Sequence, residues 1–252
     1  MKIARIAYGT DISYGIIEGD EVALLDSPPI GELRFSGERV AIADARLLPP
    51  VLPSKIVCVG KNYVAHATEM GGEVPKEPLL FLKPSTSIIG PFDAIRYPSG
   101  VERLDHEAEL AIVIGRITYG VEASMAAASI LGYTCANDVS ARDYQASDGQ
   151  WTRAKGFDTF CPLGPWIETD LDVSSVRVRA HLNGEIKQDG DTADMVFQPE
   201  FLVSYISRIM TLLPGDVILT GTPDGVGPMR VGDHVEVSVA GIGILPNHVI
   251  AG

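Results

Sequence analysis

The chain has 252 residues, of which 46% are hydrophobic and 21% are charged; these proportions are typical of a globular protein and exclude a disordered or low-complexity chain. Its 33 acidic and 20 basic residues give a net charge of −13, which argues against nucleic acid or an anionic membrane as the main partner. An anionic substrate would therefore need a locally positive pocket or a bound cation.

The three cysteines, Cys58, Cys135 and Cys161, are widely spaced and odd in number. This pattern indicates neither a disulfide framework nor a thiolate zinc site, and we expect all three to be small buried residues. The N-terminal sequence lacks the continuous apolar core of a signal peptide, and no run of about 18 uncharged apolar residues occurs. We therefore expect a cytoplasmic protein.

The first 25 residues alternate apolar and polar positions between turn signals, a pattern typical of short strands. The predicted strands are Lys2–Tyr8, Ser13–Glu18 and Glu21–Leu25. Proline pairs follow at positions 28–29 and 49–50 and interrupt any regular element there. We predict a small β-rich N-terminal domain over residues 1–50 and a second domain over residues 51–252.

Strands also predominate in the second domain. Buried or alternating runs predict the strands Ile56–Val59, Leu79–Lys83, Glu107–Ile114, Val176–Leu182, Val217–Thr220 and His234–Val239. Helices are predicted at Tyr63–Met70, Glu122–Leu131 and Pro199–Leu213. Asn183-Gly184 is a strong hairpin signal. Because strands outnumber helices and do not alternate with them regularly, we predict a mixed β-rich (α+β) fold rather than a doubly wound sheet.

Two carboxylates begin the strand Glu107–Ile114. Side chains at i and i+2 of a strand share a face, so Glu107 and Glu109 point the same way at the start of an apolar strand. Such a pair alone is typical of a solvated strand end, but Asp138 ends a second apolar run, Tyr133–Asn137, and supplies a third carboxylate. Oxygen ligands of this kind suit Mg²⁺, Mn²⁺ or Ca²⁺ rather than Zn²⁺.

A histidine and a carboxylate lie three residues apart in the first predicted helix. At that spacing Glu69 can orient the imidazole of His66 and support it as a general base, and Gly71-Gly72 beyond it would suit a mobile lid. Such pairs are more often simple surface contacts.

Cationic and amide side chains follow Asp138. A helical turn would place Arg142 and Gln145 on the same side as Asp138, and Lys155 adds a compact positive charge. Taken singly, each of these side chains is more often a solvated surface residue.

Several motifs, in order over about residues 55–250, resemble those of the fumarylacetoacetate hydrolase family in its shorter bacterial and mitochondrial branch. They read GKNYVAHATEMG, PLLFLKPSTSIIGP, DHEAELAIVIG, YTCANDVSARDYQ, KGFDTFCPLGPW and ILTGTPDGVG. The resemblance implies a catalytic domain built as a barrel-like β-roll, commonly assembled as a homodimer. Larger eukaryotic members carry a further aspartate ligand, but Cys58–Tyr63 contains no carboxylate, so only three ligands are carried over.

By that resemblance, Mg²⁺ or Mn²⁺ would be held by Glu107, Glu109 and Asp138. His66 and Glu69 would form the catalytic pair with Lys155. The implied substrate contacts are Tyr63, Arg142, Gln145 and Thr222.

The resemblance also implies the reaction, which is cleavage of a C–C bond in a small anionic 2-oxo or 2,4-dioxo acid through an enolate. Two alternatives within the enzyme class are oxaloacetate decarboxylation and isomerisation or decarboxylation of a 2-hydroxyhepta-2,4-diene-1,7-dioate type of acid. A metal-binding protein of the same fold without turnover is the alternative outside that class.

Overall fold

The computed structural model describes residues 1–69 and 71–252. Within these ranges the strands, in chain order, are β1 (Lys2–Tyr8), β2 (Asp11–Glu18), β3 (Glu21–Leu25), β4 (Phe35–Ala41), β5 (Arg46–Leu48), β6 (Ile56–Gly60), β7 (Leu79–Lys83), β8 (Ile88–Ile89), β9 (Ala94–Tyr97), β10 (Leu104–His106), β11 (Ala108–Ile114), β12 (Ile130–Asn137), β13 (Ser140–Ala141), β14 (Cys161–Glu168), β15 (Arg177–Leu182), β16 (Glu185–Asp191), β17 (Val217–Leu219), β18 (Gly227–Met229), β19 (His234–Val239) and β20 (Gly243–Ala251). The α-helices are α1 (Val64–Glu69), α2 (Ala123–Ala126), α3 (Arg142–Asp148), α4 (Thr152–Lys155) and α5 (Pro199–Ile209).

The largest sheet has the strand order β4-β3-β2-β1-β14-β12-β11-β17-β6-β7. In addition, β5 pairs with β1 and β8 pairs with β14. The N-terminal strands join it through the antiparallel pairing of β1 with β14. At its centre β11 pairs antiparallel with β12, so that Ala108 lies opposite Asn137. The start of β11 and the end of β12 therefore meet at one edge of the sheet.

A five-stranded sheet, β16-β15-β19-β20-β9, covers one face of β11. Leu110 and Ile112 of β11 pack with Val178 and Val237 of that sheet. The alternate residues of β11, among them Val113, pack on the opposite face in a second core. Since both faces of β11 are buried, its carboxylate-bearing end is held rigidly. A three-stranded sheet, β13-β10-β18, lies beside that end.

The sequence predicted about half of these elements and missed, among others, β9, β14, β20 and α4. Strands β1, β3, β7 and β19 have the predicted bounds, and Asn183-Gly184 forms the hairpin turn with positive φ at both positions. The three cysteines are free and buried, as expected. Met70, which we predicted to end the first helix, lies outside the described residues. No helix in the described ranges is both long and apolar enough to cross a membrane.

Two helix predictions were too long. The segment Glu122–Leu131 is helical only at Ala123–Ala126, followed by a 3₁₀ turn at Ala127–Ser129. Ile130 begins β12 because it pairs with Ile114 of β11, so sheet pairing overrides the helix propensity of the alanines. The helix predicted over Pro199–Leu213 ends at Ile209, since Leu212 instead exchanges backbone hydrogen bonds with Thr118.

Candidate functional site

The three predicted carboxylate ligands converge at the edge where β11 and β12 meet. Glu107 immediately precedes β11, Glu109 is its second residue, and Asp138 follows β12. The backbone N–H of Asp138 donates to the carbonyl of Glu107 at 2.9 Å, which fixes the two chain segments together. One ligand oxygen from each carboxylate lies within 4.8 Å of the others, and all three side chains are buried. Strand register therefore builds the cluster that the i, i+2 spacing predicted.

Glu109 is the least compensated of the three. Its carboxylate accepts a hydrogen bond from the N–H of Gly221 at 2.6 Å, but no cationic side chain among the described residues lies within 4.0 Å of it. Burial, followed by the nearby charges of Asp138 and Glu107, raises the pKa of Glu109 well above its ordinary value. A bound divalent cation would offset the burial and the repulsion that raise this pKa. The all-oxygen donor set fits Mg²⁺ or Mn²⁺.

Two buried lysines contact the cluster. The Nζ of Lys155 donates to Glu107 Oε2 at 2.7 Å and to Asp138 Oδ2 at 2.6 Å. The Nζ of Lys83 donates to Asp138 Oδ1 at 2.5 Å and to the carbonyl of Val139 at 3.2 Å. Sequence reasoning missed Lys83, because its contact with Asp138 joins residues 55 apart in the chain. Asp138 thus lies between two ammonium groups.

Arg142 joins the carboxylates to the neighbouring polar groups. Its guanidinium lies 2.7 Å from Glu107 Oε1, donates from Nε to Asp105 at 2.9 Å, and donates from Nη1 to Gln145 Oε1 at 2.8 Å. Burial opposes ionisation of Glu107, but Lys155 and Arg142 outweigh it and hold the pKa of Glu107 below its usual range. The predicted helical turn through Asp138 was wrong, since α3 begins at Arg142 and Asp138 lies in the loop before it.

A further ion pair at the site was missed from the sequence. Arg103 donates from Nε and Nη2 to the two oxygens of Asp105, at 2.8 and 2.9 Å. Asp105 itself is fully buried, so it links Arg103 to Arg142 at the side of the carboxylate cluster.

His66 and Glu69 come together on α1. The Nδ1 of His66 lies 3.3 Å from Glu69 Oε2, and the Glu69 carboxylate also accepts the N–H of Gly225, at 3.1 and 3.2 Å. If His66 donates its Nδ1 proton to this carboxylate, Nε2 is left as the basic nitrogen. His66 is only 6% exposed, whereas the Glu69 side chain is 35% exposed, so the imidazole is buried and the carboxylate reaches solvent.

These groups line one pocket of about 500 Å³. The predicted site residues on its walls are His66, Glu69, Glu107, Glu109, Asp138, Arg142, Gln145, Lys155 and Thr222. Phe81 and Trp151 add an apolar wall and meet edge to face, with ring centroids 5.2 Å apart. The Oγ1 of Thr222 donates to the carbonyl of Ala108 at 2.8 Å.

The structure does not bring Tyr63 to the pocket wall. Its side chain is 2% exposed, its backbone bridges to Met195, and its hydroxyl has no hydrogen-bond partner among the described residues. A substrate contact through Tyr63 stays a prediction.

Comparison with known proteins places the chain among enzymes. A family model described as fumarylacetoacetate (FAA) hydrolase C-terminal matches residues 55–250, and one described as Rv2993c-like, N-terminal matches residues 1–50. The mitochondrial oxaloacetate tautomerase FAHD2A of Homo sapiens is 44% identical over 81% of this chain and 69% of its own length.

Two solved structures share the complete fold. The 5-carboxymethyl-2-hydroxymuconate delta-isomerase of Mycobacterium smegmatis is 50% identical with a TM-score of 0.95. The maleylpyruvate hydrolase of Sphingobium sp. SYK-6, solved with manganese(II) and pyruvate, is 29% identical with a TM-score of 0.83. In both cases the match covers 100% of each chain.

Proposed function

As the chain belongs to the fumarylacetoacetate hydrolase family, we propose that it is a divalent-metal-dependent enzyme that converts a small 2-oxo acid through an enolate. The observation that carries this proposal is the cluster of three buried carboxylates, Glu107, Glu109 and Asp138, on the wall of a pocket that also holds a histidine base. Mg²⁺ or Mn²⁺ held there would act as a Lewis acid that withdraws electron density from the 2-oxo group.

The side chains around the cluster supply the remaining steps. Lys155 and Arg142 place two positive charges beside the carboxylates, where they favour an anionic substrate and developing negative charge. His66, through Nε2, accepts a proton, and Glu69 stabilises the imidazolium that results. Phe81 and Trp151 exclude water from one side of the pocket.

The first candidate reaction is proton transfer. His66 removes a proton from C3 of the 2-oxo acid, and the enolate takes up a proton again at carbon or at oxygen, so no bond between carbon atoms breaks. Two relatives, an oxaloacetate tautomerase and a hydroxymuconate delta-isomerase, support this reaction.

The second candidate is C–C bond cleavage, in which the same base acts on water. His66 takes a proton from water, the hydroxide adds to the distal carbonyl of an acylpyruvate, and the C3–C4 bond breaks to give a carboxylic acid and the enolate of pyruvate. The related maleylpyruvate hydrolase, solved with pyruvate, supports it. Loss of CO₂ from oxaloacetate would give the same enolate without water.

The experiment follows oxaloacetate and acetylpyruvate by NMR in D₂O with Mg²⁺ or Mn²⁺. The variant Asp138→Ala measures the reaction that does not depend on the carboxylate cluster. Accelerated deuterium uptake at C3 identifies proton transfer, formation of pyruvate and acetate identifies hydrolysis, and formation of pyruvate from oxaloacetate identifies decarboxylation. If wild type and Asp138→Ala give equal rates for every substrate and metal, the enzyme proposal is wrong and a binding protein without turnover is indicated.

A further inference from the structure

Lys61 is the one pocket cation that has no anionic partner among the described residues. Lys155 is bound to Glu107, and Arg142 and Arg103 are both bound to Asp105. No carboxylate in residues 1–69 or 71–252 lies within 4.0 Å of the Nζ of Lys61, although Lys61 lines the same pocket.

The backbone holds Lys61 in a costly conformation. Its φ is +57°, in the left-handed region that costs a residue with a β-carbon about 1–2 kcal/mol. The neighbouring Asn62, which is fully buried, fixes the turn: its Nδ2 donates to the carbonyls of Thr220 and Phe197 at 2.7 and 3.0 Å. Residues held in such strained backbone conformations cluster at active sites and ligand-binding positions.

The glycine pair Gly71-Gly72 adjoins the ammonium group of Lys61. A β-carbon built on Gly72 would lie 2.5 Å from the Nζ of Lys61, so the ammonium group lies directly against this segment. The N–H of Gly72 donates to the carbonyl of Ala67 at 3.0 Å, which ties the segment to the helix that carries His66. Lys61 is thus placed between the pocket and the chain beyond α1.

The charge balance of the pocket indicates the ligand. The cationic side chains on its walls are Lys61, Arg103, Arg142 and Lys155. The carboxylates on its walls are Glu69, Glu107, Glu109 and Asp138. These charges cancel, so a divalent metal ion would leave two net positive charges. A dicarboxylate neutralises both, whereas a monocarboxylate neutralises only one.

We infer that Lys61 binds the distal carboxylate of the substrate and makes the enzyme selective for 2-oxo dicarboxylic acids. The inference rests on the proposed function, because it needs the 2-oxo acid end of the same molecule to be held at the carboxylate cluster. A charge-assisted hydrogen bond in a partly buried pocket corresponds to a preference of about 10-fold or more over a ligand without that carboxylate.

The test measures the affinity of two ligands by calorimetry in saturating Mg²⁺. The ligands are 2-oxoglutarate and 2-oxopentanoate, which have the same chain length and differ in the terminal carboxylate. The wild type should prefer 2-oxoglutarate by about 10-fold or more. Lys61→Gln should bind both ligands equally and keep its Mg²⁺ affinity, whereas Lys61→Arg should retain the preference. Lys76→Gln is the matched control, since Lys76 is exposed and lies off the pocket wall.

Each outcome is decisive. An undiminished preference in Lys61→Gln, or a wild type that binds the two ligands equally, overturns the role of Lys61 and leaves the proposed function standing. If neither ligand binds the wild type in a Mg²⁺-dependent way, the proposed function fails and the inference fails with it.

Discussion

Replacing Lys83 with methionine should destabilise the protein by leaving the charge of Asp138 partly uncompensated. The lysine is 1% exposed, and its ammonium lies 2.5 Å from Asp138 Oδ1. Removing one partner of a buried pair costs about 3–5 kcal/mol. Asp138 keeps Lys155 at 2.6 Å on its other oxygen, so we expect the lower end of that range. A loss of about 3 kcal/mol lowers the Tm by about 6–12 °C in a chain of this length.

The assay is urea denaturation of wild type and Lys83→Met, with and without saturating Mg²⁺. If a metal ion binds beside Asp138, it replaces the lost charge, so Mg²⁺ should stabilise Lys83→Met more than the wild type. The double variant Lys83→Met/Asp138→Asn should be more stable than Lys83→Met, because the uncompensated charge is gone. A Lys83→Met protein that unfolds at the wild-type urea concentration would refute this reasoning.

Three further changes test other parts of the account. His66→Ala should lower Mg²⁺-dependent turnover by about 10²-fold or more while the Mg²⁺ affinity is unchanged, as measured by steady-state kinetics and calorimetry; undiminished turnover would exclude its role as the base. Asp216→Asn should cost about 1–3 kcal/mol, because this buried carboxylate binds Lys55 and three backbone N–H groups. Burial opposes ionisation of Asp216, but these bonds hold its pKa below the ordinary value. Its contribution to the free energy of unfolding is therefore full at neutral pH and is lost as the pH falls below about 4. Urea denaturation of wild type and Asp216→Asn at several pH values measures this loss. A difference in unfolding free energy between the two proteins that does not change with pH would contradict it. Gly60→Ala should cost about 1–3 kcal/mol by the same denaturation assay, since the new methyl would lie 2.8 Å from the ring of Trp151; wild-type stability would show that the ring moves freely.

The parts of the site that depend on local spacing could be predicted from the sequence. Glu107 and Glu109 share a face because they are two residues apart on a strand, and His66 and Glu69 meet because they are three apart on a helix. Asp138 could be predicted because it is the polar residue at the end of an apolar strand. These relations need only the period of the element that carries them.

Contacts that depend on strand pairing could not be predicted in this way. Lys83 contacts Asp138 across 55 residues of chain through tertiary packing, and nothing in the local sequence of β7 encodes that contact. The same limit explains Ile130, whose strand conformation comes from pairing with Ile114 and not from its alanine-rich neighbours.

Calorimetric titration of Mg²⁺ tests the central claim most directly, namely that three buried carboxylates form a metal site. Wild type should bind one ion per chain, the double variant Glu107→Ala/Glu109→Ala should bind none, and the exposed control Glu73→Ala should bind as wild type does. Circular dichroism on the double variant verifies that its fold is retained. Undiminished Mg²⁺ affinity in that double variant would contradict the account.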